Sequence, residues 1–136
     1  MFVMGIDLGT QGARAIITDL EGQVNSEAVS DFPLDQIASS SPGCFEQEPR
    51  VWRQALYDAL TQAMAIFSGA GNPPEAIAAL SVTSTSGTVC LMDADGEPIG
   101  PAIMYSDSRA SCAAAEVQAV AGELAAKLGT GFSASF

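Results

Sequence analysis

Six residues near the start of the chain have the types and spacing to do chemistry: Asp7, Gly9, Thr10, Gln11, Gly12 and Arg14. An apolar run (Phe2, Val3, Met4, Ile6) delivers the carboxylate. Two glycines and a hydroxyl follow, and a second apolar run (Ala15, Ile16, Ile17) leads on to Asp19. Glycine tolerates positive φ and lets a ligand approach the backbone closely. Successive backbone N–H groups in such a turn make a concavity that suits phosphate oxygens. Asp7, at the strand end, is placed to hold a hydrated Mg²⁺ against them. A carboxylate, a phosphate loop and an arginine in so short a span point to phosphoryl transfer from a nucleotide. Asp-x-Gly between apolar runs is equally the pattern of an ordinary hairpin turn, and the loop alone does not separate the two.

Around these residues the pattern predicts three short strands, at 2–8, 13–19 and 23–31, with Glu21-Gly22 turning the second into an antiparallel third. Residues 33–48 read as a loop rich in Ser, Pro and Gly. A helix starts at Pro49, a residue suited to a first turn, with Glu46 and Glu48 where a helix dipole favours acids. Trp52, Leu56, Leu60, Met64 and Phe67 recur at helical spacing as a buried stripe, and Asn72-Pro73-Pro74 ends the helix. Residues 77–83 read as a buried strand parallel to the first. The polar loop Ser84-Thr85-Ser86-Gly87 follows, then a short strand at Val89–Met92, a turn at Asp93-Ala94-Asp95-Gly96, and an extended piece at 101–105. A second helix carries Ala113, Val117, Val120, Leu124 and Leu128 on one face and stops at Gly129.

Composition narrows the classes. The chain of 136 residues is long enough for one domain with a core, and 48% hydrophobic content belongs to folded proteins. Sixteen acidic residues against five Lys plus Arg give a net charge of −11, which is poor footing for binding nucleic acid. With no histidine, His-dependent triads and His-ligated metals are excluded within this chain. Cys44, Cys90 and Cys112 are scattered, without a C-x-x-C pair, so reduced thiols and no structural zinc are expected. No run reaches the ~18 apolar residues of a membrane span, and the N-terminus lacks the features of a signal peptide. The expected setting is cytoplasmic, with no nucleic-acid or membrane partner.

The order β-β-β-α-β-α resembles the ribonuclease-H-like fold shared by sugar kinases, actin and Hsp70-type ATPases: an α/β domain with a mixed sheet and flanking helices. In that fold a further strand follows the second helix, so the sequence reads as cut. Three segments together resemble the FGGY family of carbohydrate kinases. They are Gly5 to Arg14; Phe45-Glu46-Gln47-Glu48-Pro49 with Trp52; and Leu80 to Asp93, continuing through Asp95-Gly96-Glu97-Pro98 to Pro101–Arg109.

The resemblance implies roles residue by residue. Gly9, Thr10, Gln11, Gly12 and Arg14 match the nucleotide-phosphate loop, and Asp7 the metal- and phosphate-proximal carboxylate. Thr85, Ser86 and Asp107 fall where the family contacts its sugar. Alternatively, Thr85 and Ser86 belong to a polar surface turn, and Asp107 is a helix N-cap. ATP and Mg²⁺ are the implied cofactors and a sugar the implied partner. Where this chain has Thr85-Ser86, many xylulokinases carry Met-His and glycerol kinases Arg-Glu, and Tyr105 stands for the usual tryptophan. A Thr-Ser pair offers hydroxyl hydrogen bonds alone, and the implied substrate leans to a ketopentose, D-xylulose or D-ribulose.

In such kinases an aspartate general base takes the proton of the attacking sugar hydroxyl. That base is expected beyond Phe136, with the rest of the first domain and all of the second. The 136 residues alone are therefore expected to be inactive, and to self-associate through an unpaired sheet edge and exposed apolar helix surface. A two-metal nuclease built on Asp7 would need further carboxylates and a basic face. A non-catalytic sugar- or nucleotide-binding module would bind without transfer.

Overall fold

The computed structural model describes residues 1–33 and 37–134; of residues 37–40 it describes the backbone alone. Two compact units divide the chain, Met1–Leu34 with Arg50–Thr85 and Asp35–Pro49 with Ser86–Phe136.

The first unit is built on the alternation of its N-terminal strands. β1 (Phe2–Leu8) and β2 (Gly12–Asp19) form an antiparallel hairpin, and β3 (Val24–Asp31) pairs antiparallel with β2. The turn between β2 and β3 is the expected one. The Asp19 carboxylate accepts hydrogen bonds from the amides of Glu21 (3.1 Å) and Gln23 (2.8 Å), and Gly22 takes φ +86°. β6 (Ile77–Ser84) lies parallel to β1, giving a mixed sheet in the order β3-β2-β1-β6.

Alternate residues bury one face of this sheet: Met4 and Ile6, then Ala13, Ala15 and Ile17, then Ser26 and Ala28. Helix α1 (Pro49–Gly69) packs on that face. It starts at the expected proline, but Glu46 lies in a strand and its first turn holds no acid. The buried row is also displaced from the expected one. Ala55, Ala59, Ala63 and Phe67 are the fully covered residues, at four-residue spacing, while Trp52, Leu56, Leu60 and Met64 are only partly buried on the flanks. The sheet presents Ala13, Ala15 and Ala28 here, in one buried cluster with Ala55, Ala59 and Ala63. Phe67 ends the row edge-to-face with Phe2, ring centroids 5.0 Å apart.

Asn72 closes the helix by donating from its side chain to Phe67 O (3.3 Å) and to Asn25 Oδ1 (3.1 Å), and the two prolines lead into a single 3₁₀ turn at Pro74–Ala76. β6 is parallel to β1 as expected, but it is not buried. Leu80 and Val82 are 64% and 60% exposed. They stand in register with Met4 and Ile6, at the sheet edge beyond the row that α1 covers.

The second unit contains a sheet where a loop is expected. β4 (Ile37–Ser41) and β5 (Cys44–Gln47) form an antiparallel hairpin, and β7 (Ala102–Ile103) adds to β5. Pro42-Gly43 turns the hairpin, with Gly43 at φ +82°. Residues 34–36 of the expected loop lie outside the described residues. The strand expected at Val89–Met92 is reduced to two isolated bridges, Val89 to Ile103 and Met92 to Pro98, around the predicted turn at Asp93–Gly96. Helix α2 (Ser111–Leu128) stops at Gly129 in the left-handed conformation, φ +67°, and Thr130 N–H returns to Ala125 O. Its apolar face is uncovered: Val117, Leu124 and Leu128 are exposed, Val120 is 91% exposed, and only Ala125 is buried. Cys44, Cys90 and Cys112 are free thiols. No helix among the described residues is long and apolar enough to cross a membrane.

Candidate functional site

The turn joining β1 to β2 brings the six N-terminal candidates together. Gly9 N–H donates to Gly12 O at 2.9 Å, and Gln11 O accepts from Phe32 N–H at 2.7 Å, so the turn is fastened both to itself and to the end of β3. Gly9, Thr10, Gln11, Gly12 and Arg14 line one small polar pocket with Val29 and Asp31. The stretch is thus a hairpin turn that also lines a pocket. The glycines serve it differently from expectation, since neither Gly9 nor Gly12 has positive φ. Gly12 is required by closeness: a Cβ there would stand 2.6 Å from Ser30 O on β3. At Gly9 the nearest atom would be 3.6 Å away, an ordinary contact.

Asp7 and Arg14 are direct partners across the β1–β2 ladder. Arg14 Nη1 donates to Asp7 Oδ2 at 3.1 Å, with both side chains substantially exposed. On the sheet face opposite α1, Gly5, Asp7, Arg14, Ile16, Glu27 and Thr83 border a shallow, mostly apolar concavity. Among the described residues no group of three or more His, Cys, Asp or Glu gathers to cage a metal. A lone carboxylate such as Asp7 would suit only a Mg²⁺ that keeps its waters and is held largely by phosphate oxygens, the usual mode for this ion at a nucleotide. It does not fit a two-metal centre.

Thr85 follows β6, and both its amide and its hydroxyl donate to Leu8 O, at 3.2 and 3.4 Å. That ties the end of β6 to the end of β1, next to the β1–β2 turn. Ser86 is exposed and begins the second unit.

Asp107 is 3% exposed and lies in the second unit. It does not cap α2, whose N-cap is Ala110 without a side-chain cap bond. Its carboxylate faces back across β5 instead, accepting from Phe45 N–H (2.8 Å), Arg109 N–H (2.9 Å) and the Arg109 guanidinium (2.7–2.9 Å). Arg109 also donates to Glu46 Oε1 at 2.7 Å. The guanidinium bond, helped by the two amides, brings the Asp107 carboxyl down to about 2 against the opposing effect of burial. Asp107 and then Glu46 raise Arg109 in turn. Glu46 lies in the motif at 45–49 and Arg109 at the end of the one at 101–109. What marks them is pairing across 63 positions, which spacing along the chain does not reveal.

The family model for the N-terminal domain of the FGGY family of carbohydrate kinases matches residues 2–135. The chain belongs to this family. Among FGGY relatives, a glycerol kinase of Alkalilimnicola ehrlichii is 38% identical over 109 residues, covering 79% of this chain and 21% of the relative. A xylulose kinase of Lactococcus lactis is 29% identical over 110 residues, covering 81% and 21%. The chain thus spans about a fifth of the length of the curated FGGY relatives it matches. Among solved structures, a xyloylose kinase from Brucella ovis superposes with TM-score 0.82 at 25% identity, over 100% of this chain and 27% of that one. A xylulose kinase from Rhodospirillum rubrum gives 0.76 at 26% identity, over 88% and 23%. The expected fold is borne out: these residues form the mixed-sheet N-terminal part of a sugar-kinase fold.

Proposed function

We propose that this chain supplies the phosphate-binding turn and part of the sugar wall of a kinase that transfers the γ-phosphoryl group of ATP to a sugar hydroxyl. The observation that carries this is the pocket of Gly9, Thr10, Gln11, Gly12 and Arg14 in a chain matched almost end to end by an FGGY N-terminal domain. Phosphoryl transfer depends mainly on positioning and on neutralising charge spread over the phosphate oxygens. Here the turn binds the phosphates, Arg14 offsets their charge, and Asp7 is the residue that would hold Mg²⁺. Bound Mg²⁺ supplies further neutralisation of those oxygens.

Thr85 and Ser86 bear on sugar recognition with hydroxyls alone. Lacking an imidazole or a charge, they favour a neutral polyol, and we assign a ketopentose, D-xylulose or D-ribulose. Relatives named for xylulose and for glycerol support the broader class. We place the general base, the remainder of the first domain and the second domain beyond Phe136, so these 136 residues alone bind without turning over.

Calorimetry tests this. ATP with Mg²⁺ and each of D-xylulose, D-ribulose and glycerol are titrated separately onto the chain, followed by an assay of ADP release. Binding of nucleotide and a ketopentose without release is the expected result. Failure to bind nucleotide, or loss-free binding by a Gly12 and Arg14 double variant, would overturn the assignment of the turn. Release at ordinary kinase rates would overturn the placement of the base.

A further inference from the structure

The Asp107 carboxylate has nothing left to offer a ligand. A carboxylate has about four lone-pair sites. Here both oxygens are taken, Oδ1 by the amide and Nε of Arg109, and Oδ2 by Phe45 N–H and by Nε and Nη2 of Arg109. The group is buried, and every bond it makes is to its own chain.

These bonds join the segment 104–109 to the β4–β5 hairpin at three successive points. Met104 N–H donates to Phe45 O at 2.9 Å, Asp107 accepts from Phe45 N–H, and Ser108 N–H donates to Gly43 O at 2.8 Å. Arg109 binds two carboxylates at once, Asp107 from its own segment and Glu46 from β5. The planar fork of a guanidinium can do this, whereas a lysine ammonium is a point charge on a flexible stem. Gly43 completes the fit, because a Cβ at that position would run into the Ser108 side chain. Tyr105 and Ser106, between the fastened points, are exposed, as are Ser108 and Arg109.

We propose that Asp107 is an anchor and not a sugar ligand, and that Arg109 and Glu46 are positioning residues that fix where segment 104–109 stands at the sugar wall. The part concerning sugar rests on the function proposed above; the clasp itself does not.

The test compares the chain with Asp107→Asn, Arg109→Lys, Glu46→Gln and the Asp107→Asn/Arg109→Lys double variant. The first readout is amide hydrogen exchange at Phe45 and Ser108. Exchange at both is expected to quicken about tenfold or more in Arg109→Lys and in Asp107→Asn. Glu46→Gln, which leaves the bonds of Asp107 in place and is the mildest change to the fold, should shift it less and in the same direction. Unchanged exchange in Arg109→Lys and Glu46→Gln overturns the clasp.

The second readout is affinity for D-xylulose. If Asp107 is an anchor, Asp107→Asn and Arg109→Lys weaken binding by similar factors, and the double variant is no weaker than either. If Asp107 touches the sugar, Asp107→Asn is much the more damaging and the two losses multiply, which overturns the proposal. Should the unaltered chain bind neither ketopentoses nor glycerol, the function proposed above and the sugar part fall together, and the exchange readout still decides the clasp.

Discussion

Arg14 Nη1 donates a hydrogen bond to Asp7 Oδ2 at 3.1 Å, between residues that face one another across the β1–β2 ladder. The cation proposed for phosphate is therefore already partnered by the carboxylate proposed for metal. An exposed pair of this kind contributes under about 1 kcal/mol to folding, so an incoming ligand separates it easily.

Asp7→Asn removes a negative charge beside the turn and releases Arg14. In the presence of a chelator, ATP should bind this variant about two- to fivefold more tightly than the unaltered chain. With Mg²⁺ added the order should reverse. Arg14→Gln should weaken ATP binding in both conditions. Calorimetry with and without Mg²⁺ checks all three, and weaker binding by Asp7→Asn in chelator would show that its carboxylate does not oppose the nucleotide.

The two glycines of the turn should respond differently to the same methyl group. Gly12→Ala forces a Cβ to within 2.6 Å of Ser30 O unless β3 gives way, at a cost of about 1–3 kcal/mol. Gly9→Ala meets only an ordinary contact and needs no positive φ, so its stability should be close to that of the unaltered chain. Urea denaturation of the two variants separates them.

Ala59 is fully buried between Ala55 and Ala63 on the helix row that faces the sheet. Ala59→Leu should destabilise by about 1–3 kcal/mol through overpacking. The same enlargement at exposed Ala65→Leu should be nearly neutral. Thermal unfolding of both variants tests whether α1 packs through its alanines.

Acid should undo the Asp107 clasp at a defined point. The folded carboxyl titrates at about 2, below its ordinary value of 3.8, so the folded state binds the proton less readily than the unfolded one. The resulting stabilisation is complete above about pH 4 and is lost as pH falls towards 2. Asp107→Asn should thus be less stable than the unaltered chain at neutral pH, with the gap closing between about pH 4 and 2. A gap that stays constant over that range would mean that Asp107 has no lowered titration.

Leu80 and Val82 on β6 leave an apolar strip at a sheet edge that pairs with no further strand among the described residues. Sedimentation velocity should show concentration-dependent association, reduced in Leu80→Ser/Val82→Thr. A monomer unaffected by concentration would argue that the strip is tolerated in water.

The first unit was largely legible because its signals are local. β1, β2 and β3 follow from period-2 alternation and Glu21-Gly22, and the start and stop of α1 from Pro49 and Asn72-Pro73-Pro74. The buried row of α1 was not, since large apolar side chains announce a core more loudly than alanines, and only the alanines opposite them on β2 and β3 decide the contact. The β4–β5 hairpin hides in a composition typical of loops, although Pro42-Gly43 is a good turn signal. The turn at Gly9–Gly12 and its place next to Asp7 follow from residue type and spacing. The Asp107 clasp depends on Phe45 and Glu46, which the fold brings close and the linear order does not.

The β4–β5 hairpin has a further consequence for how the molecule is made. Its strands are translated 62 residues before Asp107, the side chain that bonds Phe45. At about 5–20 residues per second, the nascent hairpin waits roughly 3–12 s on the ribosome for its third strand and its anchor. The strands of the first unit are complete by residue 85, so it can fold during that wait. Translation therefore favours an order of assembly, in which the β1–β2 turn forms before the anchored segment.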